Sequence, residues 1–220
     1  MLALSLLAFA GAAIPAPSCP TLAHAEALSS TVGRLRRDAP EYRFCVYGSI
    51  EGGVAWLDSL RVYKGRDTLV EDLAYPKDLQ TLGLFSVGTF LDGWPSPVLE
   101  DLDFDGYLDV KLMSYLGGTG NYGFNVWIYR PSGRRFVYEP VLSQQGRLEA
   151  HPETRTLTSS WVMGAGTSGR SVLRWAKGVP VVIRDETLDW NEDLACQQLV
   201  IKERRLGRLT VTSQACVDAK

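Results

Sequence analysis

The sequence predicts an all-β fold, a compact antiparallel sandwich or small propeller-like domain, on three observations. Segments rich in aromatic and β-branched residues, with alternating polar positions, recur along most of the 220-residue chain. Turns bearing glycine or proline punctuate them at short intervals. The final two such segments, "CQQLVIKER" and "RLTVTSQAC", flank a tight turn at Arg205-Leu-Gly-Arg208 and carry cysteines at matching distances from it.

Taken in order, residues 1–16, "MLALSLLAFAGAAIPA", are uncharged and apolar until Pro15. They read as the hydrophobic part of an export signal, and the run is too short to form a transmembrane span. Cleavage after Ala16 or after Ala25 fits, which makes residues 1–25 an export segment. Residues 26–40, "EALSSTVGRLRRDAP", read as a short amphipathic N-terminal segment terminated by Pro40. Residues 41–220 read as one β domain.

Within that domain "YRFCVYGSI", "VAWLDSLRVYKG" and "TLVEDLAY" are the first expected strands, with Lys64-Gly-Arg-Asp67 as a turn. "YLDVKLMSYL", "GFNVWIYR" and "RRFVYEP" follow, the last two joined through Pro131-Ser-Gly133. "TRTLTSSWVM", "RSVLRWA" and "VPVVIRDE" complete the series, with Ala176-Lys-Gly178 as a turn. A large propeller does not fit the length, because each blade takes about 40 residues or more.

Hydrophobic residues make up 45% of the chain, enough to build a packed core. Twenty-three basic residues face 25 acidic ones with no long basic run, which argues against a nucleic-acid partner. The cysteines are Cys19, Cys45, Cys196 and Cys216, and none has metal-site spacing. Cys196 and Cys216 lie ten residues either side of Leu206. A simple hairpin therefore sets them almost opposite, suited to a disulfide, while a one-residue bulge would disturb that pairing. Cys19 can bond to Cys45 if the earlier cleavage retains it. A lipid anchor on Cys19 is the other use, disfavoured by Pro17 in the preceding "APSC".

The most chemically pointed stretch is "DLDFDGYLD", residues 101–109, with acids at alternate positions apart from Tyr107 and a glycine after the third acid. Crowded carboxylates repel one another unless a cation lies among them. Ca²⁺ takes six to eight oxygen ligands, and closely spaced aspartates in a tight turn supply them. Asp101, Asp103, Asp105 and Asp109 offer side-chain oxygens, and Tyr107 offers its carbonyl. An EF-hand needs a bidentate acid where this chain has Leu112, and the following "LDVKLMSYL" reads as a strand. The loop thus resembles the strand-flanked DxDxDGxxD calcium loop of integrin-type FG-GAP repeats. The expected role of the ion is structural, and a bare acidic turn is the alternative.

Little else suggests catalysis. Two histidines are present; His24 lies within the export segment or at the start of the mature chain, and His151 in the turn-like "EAHPET". There is no nucleophile elbow, phosphate loop or dinucleotide fingerprint, so the chain is not expected to be an enzyme. Two glycine-dense loops are long for plain hairpins: "GGTGNYG", residues 117–123, and "GAGTSGR", residues 164–170. Gly118, Asn121 and Tyr122 in the first, and Ser168 and Arg170 in the second, are candidate binding residues, with Tyr122 and Arg170 as anchors. Flexible turns without a partner are the alternative.

The block "DLDFDGYLDVKLMSYLGGTGNYGFNVWIYRPSGRRFVYEPVLSQ", followed by "AHPETRTLTSSWVMGAGTSGRSVLRW", resembles a family of bacterial periplasmic or lipid-anchored proteins. The likeness covers residues from about 95 to 185. Members of that family include immunity proteins against peptidoglycan-cleaving effectors delivered by type IV secretion systems. The resemblance implies a fold like that of periplasmic lysozyme inhibitors, calcium at Asp101, Asp103, Asp105 and Asp109, and loops that plug a glycan-binding cleft. It implies a periplasmic inhibitor of a peptidoglycan hydrolase or lysozyme; the alternative is a non-catalytic envelope module that binds a glycan or a surface protein. Relatives often carry a histidine or larger polar group near the second loop, where this chain has Met163-Gly-Ala.

Overall fold

The computed structural model describes residues 18–51, 54–65, 67–74, 85–86, 96–116, 120–164 and 166–217. Residues 1–17 of the expected export segment, and Gly118, lie outside them. Three antiparallel sheets follow one another along the chain. The first contains β1 (Glu26–Arg34), β2 (Glu41–Glu51), β3 (Val54–Lys64) and β4 (Thr68–Ala74), with the short β5 (Phe85–Ser86) paired to β3. The second contains β6 (Val98–Glu100), β7 (Asp109–Leu116), β8 (Tyr122–Arg130) and β9 (Arg135–Tyr138). After one helical turn, α1 (Pro140–Ser143), the third sheet runs through β10 (Glu149–His151), β11 (Thr156–Met163), β12 (Thr167–Ala176), β13 (Val179–Asn191), β14 (Cys196–Arg205) and β15 (Arg208–Val217). Apart from β5, each strand pairs with its neighbour in sequence, the arrangement that short connections favour. The all-β class and antiparallel layering match the sequence reading.

The second sheet is the middle layer because β8 is apolar on both faces. Phe124, Val126 and Ile128 pack with Leu157 and Leu173 of the third sheet. Trp127 points the other way and joins Val110, Leu112 and Phe136 against Phe44, Val46, Leu60 and Val62 of the first. Successive strand residues face opposite sides, so the near-continuous run "GFNVWIY" can fill two cores at once. Fully burying a side chain of this size contributes about 1.5–3 kcal/mol.

Residues 26–34 are not a free amphipathic lead-in. They form an edge strand paired with β2 from Glu26 to Arg34, with a bulge between Ala27 and Ser29. The amphipathicity has a period of two, with exposed and half-buried positions alternating from Ser30 to Arg34. Leu35 then enters the first core, and the Thr31 hydroxyl donates to the Pro97 carbonyl at 2.6 Å.

Both disulfides form. Cys19–Cys45 has a Cα–Cα distance of 5.9 Å and Cys196–Cys216 one of 5.7 Å. The second forms despite a register shift between Ile201 and Lys202, which sets Cys216 opposite Gln198. The bond is therefore diagonal, and the bulge that sequence reasoning weighed against it is tolerated. The tight turns fall at Lys177-Gly178 and Leu206-Gly207, both residues of each pair having positive φ as a primed hairpin turn requires. His151 lies on β10 rather than in a turn, its Nε2 2.9 Å from the Thr158 hydroxyl.

Gly169 is needed for packing. A Cβ there would lie 2.5 Å from the Trp161 indole, which crosses the strand pair where Trp161 is opposite Gly169. Gly169→Ala should displace the indole and destabilise the protein by about 1–3 kcal/mol, the usual range for overpacking. Tryptophan fluorescence and urea denaturation would read this; an unchanged emission spectrum and midpoint would refute it.

Candidate metal centre and loop cluster

The acidic nonapeptide connects β6 to β7, and its shape comes from its own side chains. Asp101 accepts from the amides of Asp105 and Gly106, and Asp105 accepts from the Tyr107 amide at 2.8 Å. Phe104 and Gly106 both have positive φ, which glycine adopts without penalty and which folds the turn back on itself. Asp109, the first residue of β7, is fully buried. Its two oxygens accept from the amides of Leu102 and Tyr129, each at 2.8 Å.

Carboxylate oxygens of Asp101, Asp103 and Asp109 lie within 4.8 Å of one another and could hold a metal ion. Burial pushes the Asp109 carboxyl up to about 8, opposed by the Tyr129 and Leu102 amides and reinforced by the charges of Asp103 and Asp101. Burial also pushes Asp103 to about 6, with Asp105 adding repulsion and Arg130 opposing it. Asp103 Oδ2 accepts from Arg130 at 2.6 Å, while its Oδ1 is buried with no hydrogen-bond partner. A buried carboxylate oxygen without a partner beside two more carboxylates is the pattern a hard cation completes. The donor set, all oxygen, fits such a cation.

Asp105, also expected as a ligand, lies outside that cluster of three carboxylates. It is exposed, and its carboxylate accepts from the Tyr107 amide. The Tyr107 ring lies tilted against Tyr129 beneath the Arg36 guanidinium, which leaves the expectation for its carbonyl as it was. Sequence reasoning missed Arg130. It lies 27 residues from Asp103, pairs with that carboxylate, and covers the Trp175 ring at 5.4 Å. Trp175 in turn donates from its indole to the Leu102 carbonyl, tying the acidic loop to the third sheet. No local pattern signals these partners, because they come from β8 and β12. Between the loop and the third sheet lies a hollow of about 290 Å³ lined by Asp103, Phe104, Thr154, Arg155, Arg174 and Trp175.

The two glycine-dense loops meet at the opposite end of β7 and β8. Asn121 spans the gap: its amide nitrogen donates to the Val162 carbonyl at 2.5 Å, and its oxygen accepts from the Val162 amide at 2.9 Å. Val162 lies on β11, and because β12 begins at Thr167 the expected second loop is a short turn, with Ser168 and Arg170 on a strand rather than in a long loop. Tyr122 is half-buried rather than projecting, edge-on to Phe124 with the Arg147 guanidinium over its ring. Arg170 is exposed opposite Glu186, and Ser168 is half-buried opposite Val162 and Leu188. Asn121→Ala should leave both backbone groups of Val162 without these partners, at a cost of about 1–3 kcal/mol. Amide exchange at Val162 should then accelerate; unchanged protection would show that the contact holds nothing.

No family model matches the chain, and no curated protein matches it either. Among solved structures it is similar to a Xanthomonas type IV secretion system related protein. The TM-score is 0.57 at 16% identity, covering 86% of this chain and 100% of that one. At that identity the likeness shows a shared fold. Two disulfides indicate an oxidising compartment outside the cytoplasm, and among the described residues no helix is long and apolar enough to cross a membrane.

Proposed function

We propose that this is an exported, periplasmic calcium-binding protein that binds and blocks a peptidoglycan hydrolase or lysozyme, as an immunity-type inhibitor. The observation that carries the reading is the pair of bonds by which Asn121, in the first glycine-dense segment, is held to Val162 at the end of β11, beside the second. The similarity to a type IV secretion system related protein supports the same direction.

Calcium, when bound by Asp101, Asp103 and Asp109, would supply the positive charge that lets three crowded carboxylates ionise together. Asp109 meanwhile holds the amides of Leu102 and Tyr129, fixing the start of the loop against the end of strand β8. The acidic loop and the glycine loops lie at opposite ends of β7, so its contribution to the binding surface is to fix that strand. Small residues in the loops permit close backbone approach to a cleft, and Tyr122 steadies the first loop from below. Maturation after Ala16 retains Cys19 for its bond to Cys45, and in the bonded form that thiol is not available to a lipid.

The deciding experiment is muramidase activity on purified peptidoglycan for a panel of hydrolases, with and without the mature protein, in calcium and in chelator. Suppression of one enzyme, weakened by Tyr122→Ala, supports the inhibitor. Retention of polysaccharide by the protein alone, with no enzyme suppressed, replaces it with the envelope glycan-binding module.

A further inference from the structure

We infer, independently of the inhibitor reading, that the outer face of β13–β15 is a self-association surface on which a second copy of this chain packs sheet against sheet. Successive residues of a strand point to opposite sides, so the register fixes the face that each one takes. Leu157 and Leu173 are cross-strand partners and both lie in the core shared with the second sheet. On that same side the register carries Ser171 to Asp185 and Gly169 to Thr187, and the Ser171 hydroxyl donates to Asp185 at 2.7 Å. Thr187 pairs with Val200, Asp189 with Gln198 and Asp185 with Lys202. The inner face of this part of the sheet is therefore mainly polar.

The outer face is apolar. Leu188 pairs with Leu199 and Leu199 with Ala215, while Trp190 pairs with Gln197 and Gln197 with Val217. Ile201, two residues beyond Leu199, takes the same side. Leu188, Leu199, Ile201 and Val217 are half-buried and Trp190 is 54% exposed. Among the described residues, none of the five belongs to either of the two cores between the sheets. The third sheet thus reverses its apolar side: Leu157 and Leu173 turn inward, and the side chains of β13–β15 turn outward. A sheet face of this composition is the kind that packs against another sheet about 10 Å away.

Charge and shape select the occupant. Beside the apolar group, on the same face, Arg184 Nε pairs with Glu186 at 2.7 Å and its Nη1 with Glu203 at 3.2 Å. A border of both signs suits neither a strongly basic nor a strongly acidic partner, nor an anionic lipid surface. It does suit a copy of itself. A two-fold axis that lies in the face and runs between β13 and β14 exchanges those two strands. It sets Leu188 over Leu199 of the second copy, and Arg184 over Glu203 of the second copy. Apolar then meets apolar and opposite charges meet, the self-complementarity that a two-fold contact requires. From Arg184 to Trp190 the face runs about 24 Å, and the four strands β12–β15 span about 19 Å. That flat footprint of about 450 Å² is below the roughly 800 Å² per partner of a standard interface, so the dimer is expected to be weak, with a Kd in the micromolar range.

The test is sedimentation equilibrium of the mature protein from low to high micromolar concentration. The protein should pass from monomer to dimer and go no further, since a two-fold contact closes on itself. Leu199→Lys should raise the dimer Kd by about 30-fold or more, because the two-fold axis counts the substitution twice. Val200→Lys changes the neighbouring half-buried residue, on the inner face, and should leave the Kd as it was. The pair separates loss of a contact from loss of folding. Arg184→Glu should also weaken the dimer, and adding Glu203→Arg in the same chain should restore it. A monomer at every concentration overturns the inference. A dimer that responds equally to Leu199→Lys and Val200→Lys, or to neither, overturns this face. A monomer that binds phosphatidylglycerol vesicles through Leu199 overturns it too and makes the face a lipid surface.

Discussion

Asp109→Ala is expected to destabilise the protein by about 2–6 kcal/mol and, on the proposed calcium site, to abolish any stabilisation by calcium. The carboxyl is fully buried and accepts from the amides of Leu102 and Tyr129. Each buried amide deprived of its acceptor costs about 1–3 kcal/mol, and there are two. Asn is a poor substitute, because its NH₂ group must face one of those two donors; Asp109→Asn should fall between wild type and Ala. Burial makes the ionised side chain itself costly, so part of the loss is offset where the carboxyl would be charged. Urea unfolding followed with and without calcium separates the two effects. A variant with the wild-type midpoint and a surviving calcium response would refute the assignment of Asp109 to either task.

Chelation should lower stability, and increasingly so as pH rises. Burial pushes the Asp103 carboxyl up to about 6 and the Asp109 carboxyl up to about 8, both above the ordinary carboxyl value of 3.8. A carboxyl raised on folding binds more protons folded than unfolded, so chelated protein loses stability as pH climbs from about 4 through about 8. Calcium requires the ionised forms and competes with those protons, so its affinity grows over the same window. At calcium 100-fold above Kd the gain is about 2.7 kcal/mol, which for a domain of this size is on the order of 5–10 °C in melting temperature. Melting curves at pH 5 and pH 8.5 should show the calcium–chelator gap widening. A gap independent of pH would refute the linkage, and an equal gap with magnesium would refute selectivity for calcium, because magnesium demands tight octahedral geometry.

Several features were legible because the information is local. Alternation and turn residues mark β2, β3, β7, β8 and β11–β15, and the glycines of Lys177-Gly178 and Leu206-Gly207 mark their turns. The acid spacing from Asp101 to Asp109 marks a loop that folds on its own side chains and brings together three carboxylates that could hold a metal ion. β1 was misjudged because its polar, serine-rich alternation gains its stability from pairing with β2. Tyr122 was expected to project, yet its orientation follows from Phe124 and Arg147, which only packing brings to it.

The sequence by itself determined the all-β class, the strand and turn pattern, the Cys196–Cys216 bond and the acidic loop, all of which rest on periodicity and short-range chemistry. Tertiary structure decided that the second sheet lies between the other two, because a strand apolar on both faces does not state what covers each one. It also decided that Arg130 and Tyr129 reach the acidic loop, and that Asn121 joins the two glycine loops. Those contacts link residues 20 to 41 positions apart, and their partners are chosen by the layering of whole sheets.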